Sequence, residues 1–204
     1  MSIVATGSVA EFFEEVVDDA LRVRGVKPSE GVRTYVIALL SELAKPGSPV
    51  ERTLERPLTL LLDEALHTSA LADRFEKLRT LGDGVLYSSG FFADHFEARG
   101  VDTNYVISIG RTAYENAGSL LRTGNTGKGE KEDKVDIFGE LAKDFSAFVA
   151  VLAEVANATV AKGVATSRGV LKLYERWLKT RNDSLGDALA SQGFVAPRGG
   201  RVLS

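Results

Sequence analysis

The chain of 204 residues has no cysteine, two histidines, one methionine, one tryptophan and five prolines. Without cysteine it can form no disulfide, no thiolate nucleophile and no cysteine metal site. The histidines, His67 and His95, lack His-x-x-x-His spacing, and the Asp94-His95-Glu97 group is too short to aim its side chains at one ion, so no metal is expected. No apolar run approaches the roughly 20 residues that span a bilayer. The opening MSIVATGSVAEFFEE has no basic segment followed by an apolar core, so the expected setting is cytoplasmic. A formal charge of −3 supplies no global basic footprint for nucleic acid. Sustained period-two alternation is missing too, which leaves an all-α fold.

Helical periodicity is abundant. Ser8 and Glu11 have capping-box spacing, and Val9, Phe12, Phe13, Val16, Val17, Ala20 and Leu21 predict a first helix over 8–24, ended by Gly25. A second begins at Ser29, with Val32, Tyr35, Val36, Leu39, Leu40 and Leu43 inward, and stops at the prolines Pro46 and Pro49. Pro57 opens a third over 57–80, bending near Thr68-Ser69. Gly100 reads as a stop, and Thr103 starts a helix with Tyr105, Val106, Ile109, Ala113, Ala117 and Leu120 on one side. Residues 122–134, RTGNTGKGEKEDK, contain no apolar side chain and predict a mobile loop. Ile137, Leu141, Phe145, Phe148, Leu152 and Val155 mark a central helix over 135–162, and shorter helices over 167–181 and 184–192 precede a tail at 197–204. The expected architecture is a single compact bundle of seven or eight helices over 1–196.

Residues 81–96, LGDGVLYSSGFFADHF, break this pattern. Each interior glycine costs a helix roughly 1 kcal/mol relative to alanine, so Gly82, Gly84 and Gly90 require a reason. One reading is a ligand pocket formed by Asp83, Ser89, His95, Arg111 and Tyr114 under the rings of Phe91, Phe92 and Phe96, where burial would perturb Asp83 or His95. The favoured reading is a junction between short helices, capped by Asp83 and Ser89, with Arg111 paired to a carboxylate on a neighbouring helix.

Other motifs fail on geometry. Gly124 to Gly129 has the wrong spacing for a phosphate loop and no strand before it. Ser88 or Ser89 with His95 lacks a strand-turn-helix elbow, so no catalytic set is complete and no cofactor is implied. Arg168, Lys172, Arg176 and Lys179 recur at helical spacing as a basic stripe, the best sequence hint of a partner-binding surface.

Leu81-Gly82-Asp83, Ser89-Gly90-Phe91-Phe92, Tyr105, Gly110-Arg111, Ala113-Tyr114, Phe138-Gly139-Glu140-Leu141 and Leu173 to Leu178 together resemble an uncharacterised group of bacterial helical proteins about 200 residues long. That resemblance implies a bacterial helical protein and carries no activity with it. The function expected from the residues is a non-enzymatic protein-interaction or scaffold domain, binding another protein or a second copy of itself. The alternative is a small-molecule binding protein or enzyme with a pocket between residues 83–96 and 105–114.

Overall fold

A computed structural model describes residues 9–44, 55–93, 96, 100–124, 136–162, 174, 176–178 and 180–191. The described residues are helical with no strand, as the missing period-two alternation predicts. The chain divides into two compact units, Met1–Ala153 and Glu154–Ser204. No helix among the described residues is long and apolar enough to cross a membrane.

The first unit opens with α1 (Val9–Arg24) and α2 (Glu30–Leu43), which pack on each other through Val16, Val17, Ala20, Val32, Val36 and Leu40. Gly25 ends α1 at φ +66°, where its N–H donates to Arg22 O and Val26 N–H to Leu21 O. Those two bonds satisfy carbonyls the helix leaves open, and the positive φ suits a residue without a Cβ. Ser29 caps α2, its Oγ accepting from Val32 N–H. Gly100, at φ +67°, repeats the C-terminal arrangement as Val101 N–H donates to Phe96 O.

The helix expected over 57–80 is two helices, α3 (Leu58–Leu66) and α4 (Leu71–Phe91). The break falls at His67–Ala70, where Thr68 Oγ1 turns back to Glu64 O and Arg74 Nε takes Thr68 O. Such side-chain bonds offer the backbone an alternative to the helical ladder. Conversely, α4 runs unbroken through Gly82, Gly84 and Gly90, so the expected junction of short helices is a continuous helix.

Next, α5 (Thr103–Gly124) returns antiparallel to α4 and makes the most extensive helix pair of the unit. Residues 122–124 of the expected loop are thus helical, and the remainder lies outside the described residues. The helix expected over 135–162 also divides, into α6 (Ile137–Lys143) and α7 (Phe145–Lys162). Asp136 caps α6 through Gly139 N–H, and the Asp144 carbonyl accepts from both Ala147 and Phe148 to start α7. These two splits carry the count past the expected seven or eight: with helical residues at 174, 176–178 and 180, α8 (Asp183–Ser191) brings it to nine among the described residues.

In the second unit Trp177, Leu185 and Leu189 form a small core with Val160 and Ala188 packed against it. Asn182 organises its polar side. Its Oδ1 accepts from Leu185 N–H at the start of α8, while its Nδ2 donates to the buried Glu154 carboxylate at 3.2 Å.

Candidate functional site

Three glycines of α4 and α5 are places where another chain segment comes too close for a side chain. A Cβ at Gly82 would sit 2.4 Å from Tyr114 Cδ1, one at Gly90 2.4 Å from Leu152 Cβ, and one at Gly110 2.5 Å from Phe145 Cζ. Their helix-propensity cost is therefore exchanged for close packing between helices. Gly82 lets the Tyr114 ring pack directly on the backbone of α4, and that placement sets the chemistry of the site.

Asp83, 2% exposed, follows directly. Its Oδ1 accepts two hydrogen bonds, from Tyr114 Oη at 2.6 Å and from Tyr35 Oη at 2.7 Å. Three helices are thereby tied at one atom: α2 by Tyr35, α4 by Asp83 and α5 by Tyr114. Phe138 of α6 stacks edge-on against Tyr35 and tilted against Tyr114, and Phe145 is also tilted against Tyr114. On α4 itself, Arg79 gives its Nη2 to Glu76 at 2.7 Å, while its buried Nε has no hydrogen-bond partner among the described residues.

Burial pushes the Asp83 carboxyl up to about 6, against the opposing pull of the Tyr114 and Tyr35 hydrogen bonds and the Arg79 charge. Burial and the adjacent carboxylate likewise hold Tyr114 and Tyr35 well above the ordinary tyrosine range, so both remain protonated donors. A carboxyl of this kind could in principle act as an acid or base near neutral pH. Here both hydroxyl protons are committed to a single oxygen of a side chain sealed from solvent.

Of the five side chains expected to line a pocket, only Asp83 and Tyr114 meet. Ser89 is buried on α4 with no hydrogen-bond partner for its Oγ among the described residues, and neither it nor Asp83 caps a helix, because both sit inside one. Arg111 is exposed and pairs with Glu115 on its own helix at 2.9 Å. His95 lies outside the described residues. Of the basic stripe, Arg168, Lys172 and Lys179 also lie outside them, whereas the Arg176 Nε turns to the buried Asn157 Oδ1 at 2.7 Å. Glu64 and His67 stand at Glu-x-x-His spacing, but Glu64 is ion-paired to Arg56 and His67 is exposed just past the end of α3.

Sequence reasoning placed Tyr35 inside α2 without assigning its hydroxyl a partner. A buried tyrosine usually finds one, and Asp83 was the available carboxylate on the neighbouring glycine-rich segment. Tyr105 was expected inward and instead is 52% exposed.

It lies in the first turn of α5, at the end of the pair where α4 finishes. Tyr87, Phe91 and Phe92 contact one another with ring centroids 4.7–6.4 Å apart, and Phe92 is 48% exposed. The register that sets Gly82 against Tyr114 and Val85 against Gly110 brings Phe91 and Phe92 level with the start of α5, so that they and the exposed Tyr105 share one aromatic end of the helix pair. No protein-family model, curated protein or solved structure matches this chain.

Proposed function

We propose that the chain is a non-enzymatic helical protein-interaction domain whose binding surface is the aromatic end of α4 and α5. The observation that carries this reading is the exposure of Phe92 and Tyr105 on one end of the tightest helix pair. Exposed apolar side chains are ordinary when scattered, but a cluster of rings on a rigid platform is what protein interfaces use as anchors. The polar cluster offers a weaker case for ligand chemistry, since Asp83 already has both hydroxyl donors and is closed to solvent. A second copy of the chain belongs to the partner class, and a bacterial origin is implied by the resemblance alone.

A photo-crosslinking residue placed in turn at positions 92, 105 and 115 in the full chain tests the reading in cells. Adducts of discrete protein mass from 92 and 105, and none from the exposed control at 115, are the expected result. Twice the chain mass would identify a second copy. The absence of adducts from 92 and 105 contradicts the interaction reading. A metabolite-induced rise in melting temperature that vanishes in Asp83→Asn favours the pocket instead.

A further inference from the structure

Asp83 forms no ion pair within 4 Å among the described residues; its two contacts are neutral hydroxyls, and Arg79 gives its guanidinium to Glu76. The titratable groups facing it are Tyr35 and Glu42 from α2, Arg79 from α4 itself and Tyr114 from α5, while α6 adds the apolar Phe138. A charged carboxylate sealed in this way is destabilised relative to its neutral form. A proton from solvent placed on Oδ2 leaves Oδ1 able to keep accepting both hydroxyls. Neutralisation thus removes the charge-burial penalty and weakens the two bonds without breaking either.

We infer that the Asp83–Tyr35–Tyr114 cluster is a proton-operated latch: uptake of one proton at Asp83 in mild acid tightens the junction of α2, α4 and α5, and its release towards neutral pH loosens it. The device goes beyond the interaction reading and does not depend on it. Its strength follows from linkage. With the carboxyl raised from 3.8 to about 6 in the folded chain, the native state binds the extra proton between those values. Opening of the junction is then suppressed about tenfold at pH 5 relative to pH 7.

The test is a carbon-detected NMR titration of the Asp83 side-chain carboxyl in the full chain, paired with amide exchange of α4 and α5 at pH 5 and pH 7. A midpoint between about 5 and 7, with roughly tenfold greater protection at pH 5 that is absent in Asp83→Asn, supports the latch. A midpoint at or below 4, or protection that changes equally in Asp83→Asn, overturns it. Should Asp83→Asn fail to fold, Tyr35→Phe keeps the question open to experiment. Losing one donor to the charged form must raise the Asp83 midpoint further, and an unmoved midpoint overturns the latch.

Discussion

Replacing Gly90 with alanine sets two opposing effects against each other. Alanine is favoured over glycine in a helix interior by about 0.8–1.0 kcal/mol, so the change would stabilise α4 if that face were open. At Gly90 the new methyl would lie 2.4 Å from Leu152 Cβ, 3.2 Å from the Leu152 carbonyl carbon and 3.3 Å from the Ala153 nitrogen. Comfortable carbon contacts are about 3.5–4.0 Å, so the two segments must separate by about 1 Å. Backbone atoms cannot rotate out of the way, and overpacking of this kind costs about 1–3 kcal/mol, with the upper half of that range expected here. The net expectation is a loss of about 1–2 kcal/mol. Gly82→Ala should lose a similar amount, because the Tyr114 ring can yield only by pulling its hydroxyl from Asp83. Gly118→Ala is the control: its contacts, Asp136 Oδ1 at 3.1 Å, Arg122 Nη1 at 3.2 Å and the Gly139 nitrogen at 3.3 Å, all lie beyond 3.0 Å and need only a few tenths of an ångström of adjustment, so stability should stay within about 0.5 kcal/mol of wild type. Urea unfolding followed by far-ultraviolet circular dichroism, with unchanged slope, supplies the differences. Gly90→Ala more stable than wild type by about 1 kcal/mol would refute the packing argument.

Four further outcomes are expected. Because the folded Asp83 carboxyl is raised from 3.8 to about 6, the stability it confers is fully present below 3.8 and is lost as pH rises through about 6. Chemical unfolding at pH 5 and pH 7 should therefore show a gain of about 1.4 kcal/mol in acid that Asp83→Asn does not share. Tyr114→Phe removes a bond to a buried carboxylate and should cost about 1.5–3 kcal/mol at pH 7, read from the shift in unfolding midpoint. Arg33 joins α2 to Asp18 and Glu14 of α1 at 2.7 and 2.9 Å from a partly exposed position, so Arg33→Ala should cost about 1 kcal/mol, less at high salt. Asn182→Ala removes both the start of α8 and a donor to buried Glu154, and should cost about 1–3 kcal/mol in the second unit, where the sole tryptophan, Trp177, gives a fluorescence readout.

Helix ends were legible wherever a local signal sets them. Gly25 ends α1 through positive φ, and Ser29 caps α2, both within a few residues of the helix they bound. The glycine-rich stretch was not legible, because propensity weighs only the local cost of Gly82 and Gly90. What repays that cost is the Tyr114 ring and the Leu152 backbone, distant in sequence. Asp83 illustrates the same limit: its partners stand 31 and 48 residues away, and only tertiary packing selects them over a nearby helix terminus. Periodicity alone also put Tyr105 inside, although it lies at the first turn of α5, where the neighbouring helix is ending. Of the pocket predicted from five side chains, the part that survives is the pair whose spacing a glycine controls.

The central structural claim is that Asp83 is a closed core carboxylate held by tyrosine hydroxyls and not the floor of an open pocket. Proton NMR of the full chain at pH 7 addresses it most directly, through the hydroxyl proton of Tyr114. A sheltered hydroxyl donating across 2.6 Å to a carboxylate should exchange slowly with water and give a downfield resonance that disappears in Tyr114→Phe. A Tyr114 hydroxyl that exchanges too fast to be seen, in a chain that is otherwise folded, would contradict the account.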